Sequence, residues 1–238
     1  MIRIGMVAGL VAALASPVAA QSTGFYVRGD VGIALGTSSN EFDTAPGADN
    51  ASLGNTMIWG RLDPGVMFDV GAGYRFAPFL RFEGSIGYIP SMAFNGSFNG
   101  SSSNTAQASV SALVGLANAY LDFAGLFGRL PGNIQPFVLG GAGFATVTNS
   151  GENDYNNGRY SNTFSGATVT NFAWTAGAGV GVPISPRLTL DVTYRYLDLG
   201  QRFVGQLLTS PSGPPEFLTY DRANLQVHTI MVGLRFEL

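Results

Sequence analysis

The sequence predicts an all-β protein, an eight-stranded antiparallel barrel of up-and-down topology. Three observations predict it. Stretches of alternating apolar and polar residues recur along the chain, and that period puts successive side chains on opposite faces of a strand. The connections between them alternate between short and long. Charged residues are only 11% of the chain and glycine is 33 of 238 residues, against ~25% and ~7% in ordinary soluble domains.

The first twenty residues stand apart. Met1-Ile2-Arg3 carries a positive charge and residues 4–15 are apolar. Ser16-Pro17 breaks the run, and Val18-Ala19-Ala20 sets small residues at the −3 and −1 positions of a cleavage site. This is the pattern of a secretory signal peptide. Its apolar core is shorter than the ~20 residues a spanning helix needs. The expected organisation is therefore a signal peptide over residues 1–20 and one domain over 21–238, a mature chain of 238 − 20 = 218 residues. An exported chain without cysteine has no disulfide to staple it. All twelve basic residues are arginine. With Arg3 removed, eleven face fifteen acids, so no basic patch invites nucleic acid. No later apolar run approaches the length of a spanning helix, but a membrane-spanning strand needs only ~9–11 alternating residues.

Eight segments carry the alternation. Residues 25–35 set Phe25, Val27, Val31, Ile33 and Leu35 against Tyr26, Arg28 and Asp30. Residues 66–76 oppose Val66, Phe68, Val70, Ala72, Tyr74 and Phe76 to Asp69, Gly71, Gly73 and Arg75. In 80–89, Leu80, Phe82, Ile86 and Tyr88 oppose Arg81, Glu83, Ser85 and Gly87. Residues 108–123 are the least regular. Ala119, Leu121 and Phe123 oppose Asn118, Tyr120 and Asp122, but Val110, Val114 and Leu116 take the parity that later turns polar. A bulge near Gly115 reconciles the two halves, since a shift of one residue swaps faces. Residues 136–147 place Val138, Ala142 and Phe144 opposite Gly141 and Gly143. Residues 172–182 place Phe172, Trp174, Ala176, Ala178, Val180 and Val182 opposite Thr175, Gly177, Gly179 and Gly181. In 188–200, Leu188, Leu190, Val192, Tyr194 and Tyr196 oppose Thr189, Asp191, Thr193 and Arg195. The last segment, 223–238, opposes Ile230, Val232, Leu234, Phe236 and Leu238 to Thr229, Met231, Gly233, Arg235 and Glu237.

Short connections lie at 77–79, 124–135 and 183–186, and long polar ones at 36–65, 90–107, 148–171 and 197–222. Turn-forming residues dominate the long ones, as in F94-N-G-S-F-N-G-S101 and G151-E-N-D-Y-N-N-G158. Short at one end and long at the other is the asymmetry of a barrel with short periplasmic turns and long extracellular loops.

Alternation alone does not say which face is outside, because a soluble barrel alternates with its apolar face inward. The loop asymmetry favours the inverse. So does aromatic placement. Phe25, Phe76, Phe82 and Phe236 fall near one rim and Tyr88, Trp174 and Tyr196 near the other, two belts about one hydrocarbon thickness apart. The opposite face then carries the ions. Arg28, Arg75, Arg81, Arg195 and Arg235 meet Asp30, Asp69, Glu83, Asp191, Glu237 and, if its register holds, Asp122. Eight strands enclose a space that side chains fill, and the strand glycines leave room for long arginines. The reading is a plugged, salt-bridged lumen. A narrow pore for small solutes is the alternative.

Catalytic, cofactor and metal sites are absent from this reading. His228 is the only histidine, so no histidine pair exists to hold a metal. It takes the lipid-facing parity near the outer rim, which leaves a lipid-modifying hydrolase as a remote alternative. Glu152-Asn153-Asp154 lacks the carboxylate spacing of a calcium loop.

F172-A-W-T-A-G-A-G-V-G-V182, L188-T-L-D-V-T-Y-R-Y-L-D198 and H228-T-I-M-V-G-L-R-F-E-L238 resemble the closing strands of the small porin-like, opacity-type outer-membrane barrels of Gram-negative bacteria. N118-A-Y-L-D-F123 and residues 136–144 resemble that family's middle strands. The resemblance implies a cell outer-membrane location, among outer-membrane lipids and lipopolysaccharide, and insertion by the barrel-assembly machinery. It also implies roles in envelope integrity, surface antigenicity, adhesion through the long loops, or limited solute passage. It brings no catalytic residues. One departure is the final residue: such barrels usually end in Phe or Trp, and this chain ends in Leu238.

Overall fold

The computed structural model describes residues 23–37, 39–42, 57–98, 103–128, 131–203, 207–209, 214, 216–217 and 222–238. The expected signal peptide lies outside them. Eight long strands form the barrel: β1 Gly24–Gly36, β2 Gly65–Ala77, β3 Leu80–Phe98, β4 Asn104–Asp122, β5 Gln135–Asn156, β6 Ala167–Pro183, β7 Leu188–Phe203 and β8 Arg222–Glu237. Each pairs antiparallel with its neighbour in sequence. β8 closes the ring on β1, from Tyr26 opposite Glu237 to Gly36 opposite Val227. Closure matters because an open sheet edge in lipid leaves backbone donors and acceptors unpaired.

The turns at the end that carries both termini are short. Pro78-Phe79 joins β2 to β3, and residues 184–187 join β6 to β7. A one-turn helix, Phe123–Phe127, and a 3-10 turn, Pro131–Asn133, lie between β4 and β5. At the other end the strands run on. Short strands Ser39–Phe42 and Met57–Leu62 add to β3, while Arg159–Phe164, Leu207–Thr209 and Glu216–Phe217 add to β5 in series.

Two expectations are corrected here. The polar stretches 90–107 and 148–171 are largely strand, because β3, β4 and β5 run 19, 19 and 22 residues. The β5 hairpin turns at Asn157-Gly158, both with positive φ (53° and 74°). Asn-Gly is the pair that adopts such a turn most readily. The second correction concerns Gly115. The β4 register passes it without a break, Ile86 opposite Gly115 and Gly115 opposite Phe144. The irregularities fall instead between Ile89 and Met92 and between Ala108 and Val110.

The physical reason is that the solvent changes along the strand. On β3 the outward residues are Phe82, Ile86 and Tyr88, then Ser91 and Asn95; the inward ones are Arg81, Glu83 and Ser85, then Ile89, Met92 and Phe94. On β4, Val110, Ala112, Val114, Leu116, Asn118, Tyr120 and Asp122 all point inward on one parity. The lower part of each strand faces acyl chains and is apolar outside. The upper part stands in water and is apolar inside. Hydroxyl pairs mark its outer surface: Ser91–Ser109 at 2.8 Å, and Thr146–Thr170 and Thr148–Thr168 at 3.0 Å. On β6 the outward apolar run from Phe172 to Val182 spans about 25 Å along the barrel axis at the usual strand rise and tilt, the height of an outer-membrane apolar band.

Leu238 sits at the rim that carries both termini, 70% exposed, its backbone N–H donating to the Phe25 carbonyl at 2.9 Å. If a terminal aromatic aids insertion, Leu238→Phe raises the yield of heat-modifiable, folded protein. An unchanged yield counts against that role.

Candidate functional site: the charged lumen and its aromatic girdle

The lumen holds two stacked layers of ions below an apolar cluster. In the lower layer Asp122, at the end of β4, accepts from two arginines. Arg81 donates from Nε and Nη2 at 2.8 and 2.9 Å, and Arg75 from Nη1 at 2.7 Å. Arg75 Nη2 reaches Glu237 at 3.2 Å. Arg235 forks onto Asp191 at 3.0 and 3.3 Å and touches Gln135 at 3.5 Å. In the upper layer Arg28 pairs with Asp30 at 2.8 Å, Asp69 at 3.2 Å and Glu83 at 2.8 Å. Arg195 reaches Asp69 at 3.4 Å and the Tyr120 hydroxyl at 3.3 Å. Tyr120 couples the layers. Its hydroxyl donates to Glu83 at 2.8 Å, and the Arg81 guanidinium lies 4.4 Å from its ring centroid.

The structure thus brings Arg28, Asp30, Asp69, Arg75, Arg81, Glu83, Asp122, Asp191, Arg195, Arg235 and Glu237 into one interior. Apart from Glu237, whose side chain is 25% exposed, the paired side chains in it are at most 1% exposed. Buried charges persist only when paired and hydrogen-bonded, and here Glu83, Asp122 and Asp191 each face one forked guanidinium, from Arg28, Arg81 and Arg235. Glycines make the space. A Cβ at Gly177 would stand 3.2 Å from Arg195 Cγ, and one at Gly181 2.7 Å from Asp191 Oδ1. Tyr26, Tyr120 and Gln135 belong to the same interior; the alternation sets both tyrosines on the inward face but names no part for them, or for Gln135, in the ion network. The two tyrosines share the parity of Arg28 and Asp122, which was the available signal.

Above the ions, Ile89, Met92, Phe94, Val110, Val147, Leu197, Leu199, Leu225 and Val227 pack as one buried cluster. Arg202 lies within this region, its guanidinium 4.2 Å from the Phe94 ring centroid.

The outward aromatics form two girdles. Near the termini, Phe25, Tyr74, Phe76 and Phe82 make a chain of edge-to-face contacts at 4.8, 4.8 and 5.5 Å, and Phe236 is exposed nearby on β8. Toward the loops, Trp174 contacts Tyr196 at 5.2 Å, Tyr196 contacts His228 at 5.3 Å, and Tyr88 is exposed on β3. The hydroxyl of Tyr194 is 2.7 Å from His228 Nδ1. Among the described residues, neither serine nor carboxylate contacts His228.

A closed eight-stranded ring, apolar outside and ionic within, has the geometry of a membrane barrel. Residues 6–236 match the sequence profile described as the outer membrane protein beta-barrel domain. The chain belongs to this family. Two solved structures share its fold. One is the outer membrane protein OprG from Pseudomonas aeruginosa, with 14% identity, 90% of this chain and 96% of that chain covered, and a TM-score of 0.53. The other is the outer membrane protein AlkL in DMPC lipid bilayers, with 15% identity, 96% and 98% coverage, and a TM-score of 0.51. No curated protein sequence matches the chain. The barrel is accordingly an outer-membrane protein of Gram-negative type, seated among the lipids and lipopolysaccharide of that membrane.

Proposed function

We propose that this barrel is a closed structural element of the outer membrane that carries a surface-exposed β-extension for envelope integrity, antigenic display or adhesion. Its expected biogenesis is export on residues 1–20 and insertion by the barrel-assembly machinery. One observation carries the reading: Arg81 forks onto Asp122, which Arg75 also reaches, and with Arg235 on Asp191 beside them these buried ion pairs fill the lower lumen. An ion entering from either end must break these pairs. Extracellular ligands would meet the upper extension, whose outer surface offers the hydroxyls and amides of Ser91, Asn95, Ser109 and Thr148 beside the exposed Arg61–Asp63 pair.

Planar-bilayer recording of the purified, folded protein tests closure. The expected result is a silent membrane apart from brief, small events. Stable openings of porin size overturn the closed-lumen reading and establish the narrow-pore alternative.

A further inference from the structure

Three neighbouring strands change outward character at one level. On β6 the outward apolar residues end at Phe172 and Thr170 follows. On β7 they end at Tyr196 and Asp198 follows. On β8 they end at Ile230, and His228 and Gln226 follow. The register sets these side chains in two rows. Asp198 lies opposite Trp174 on one side and Gln226 on the other, and Tyr196 lies opposite Ala176 and His228. Neighbouring strands stand ~4.8 Å apart, so a row across the three spans roughly 10 Å.

Both rows are held in place. The Asp198 carboxylate accepts from the Gly200 N–H at 3.0 Å and from Gln226 Nε2 at 3.3 Å. A carboxylate has about four lone-pair sites, so Asp198 keeps acceptor capacity toward the surroundings. Beside it the Trp174 and Tyr196 rings meet at 5.2 Å and 52°, and the His228 ring packs against Tyr196 at 5.3 Å and Tyr194 at 5.9 Å. Trp174 is 40% exposed. The outward face here is an aromatic surface edged by a carboxylate, an amide and an imidazole.

That combination does more than anchor a barrel at the interface. Rings anchor by their amphipathic shape alone, and an acyl chain makes no use of a carboxylate. A phosphate is repelled by one. A sugar uses every part. The C–H groups of its ring face lie on indole or phenol, and its hydroxyls donate to a carboxylate and accept from an amide. The level of the patch names the source. It lies just above the apolar band at the loop end, where the first groups above the acyl chains of the outer leaflet are the sugars of lipopolysaccharide. A row across three strands matches a disaccharide in length.

We infer that Trp174, Tyr196, Asp198, Gln226 and His228 form a binding patch for the saccharide headgroup of an outer-leaflet glycolipid, which stands against the outer wall of the barrel. The patch lies outside the lumen, so glycolipid binding and conductance are read separately.

The test uses the folded barrel carrying Trp59→Phe, which leaves Trp174 as its one tryptophan, in phosphatidylcholine vesicles. Three probes are titrated against Trp174 emission: lipid A stripped of its phosphates, phosphatidylglycerol, and the matching N-acetylated glucosamine disaccharide free in solution. The stripped lipid A should shift the emission saturably, and the other two should not. Gln226→Ala removes an amide, and His228→Phe keeps a ring but loses its nitrogens. Each should raise the half-saturating glycolipid fraction roughly three- to tenfold, the worth of one hydrogen bond, with heat-modifiable mobility retained. An equal shift with phosphatidylglycerol, or a glycolipid curve unchanged in both variants, overturns the inference. An equal response to the free disaccharide at the same bulk concentration overturns the membrane source.

Discussion

Replacing Asp122 by Asn should destabilise the barrel by about 3–5 kcal/mol, the usual cost of removing one partner from a buried ion pair. Among the described residues Asp122 is the one carboxylate paired with Arg81, and it shares Arg75 with Glu237. An amide retains the shape but takes from Arg81 its paired anion, and Arg81 is completely buried. The guanidinium cannot discharge by losing its proton, so the penalty falls on folding. Urea unfolding from lipid vesicles, read by heat-modifiable gel mobility, should show a lower midpoint with the slope unchanged. Combining Arg81→Met with Asp122→Leu removes the stranded charge, keeps Arg75 on Glu237, and should be more stable than Asp122→Asn alone. By contrast Arg61→Ala, whose partner Asp63 lies 3.8 Å away on the exposed surface, should leave the midpoint where it is. If Asp122→Asn and Arg61→Ala unfold alike, the lumen ions are solvated and the barrel is not plugged.

The contrast between these sites shows what the sequence made legible. Stretches that lie within the apolar band declare themselves. In β7, Leu190, Val192 and Tyr194 on one parity and Asp191, Thr193 and Arg195 on the other fix both the strand and its face, since a slip of one residue puts Arg195 in lipid. The corresponding stretches of β1, β2 and β8 read the same way. Stretches above the band do not. Along β4 the apolar side moves from outside to inside as the surrounding medium changes from hydrocarbon to water. A reader who assumes one medium inserts a bulge to explain Val110 and Val114. For the same reason the outward Ser, Thr and Asn of β3 and β5 pass for loop composition. Arg202 was illegible on a different ground. The slip between Asp198 and Gln201 reverses parity before it, so period two places it outside while the structure buries it beneath Phe94.

The change of medium also makes a sharp prediction, because one substitution should have opposite consequences at two outward positions. Val192 lies in the middle of the apolar band, opposite Val180 and Val232. Val192→Arg places a guanidinium against acyl chains, and at mid-bilayer that costs ~2–4 kcal/mol. Thr148 also points outward, from β5 opposite Thr168, but above the band where its neighbours are hydroxyls. Thr148→Arg exchanges one exposed hydroxyl pair for a solvated charge and should cost no more than ~1 kcal/mol. Inward at a comparable height, Val110 is fully buried in the apolar cluster. Val110→Asp should cost more than Thr148→Arg, because an unpaired carboxylate there has neither water nor a cation. All three are measured as shifts in urea midpoint in the same vesicles. A molecule that is lipid-facing along its whole length would penalise Thr148→Arg as heavily as Val192→Arg. A molecule with a solvated upper lumen would tolerate Val110→Asp. The ordering Val192→Arg and Val110→Asp costly, Thr148→Arg mild, requires a barrel whose outside and inside exchange polarity where it leaves the membrane.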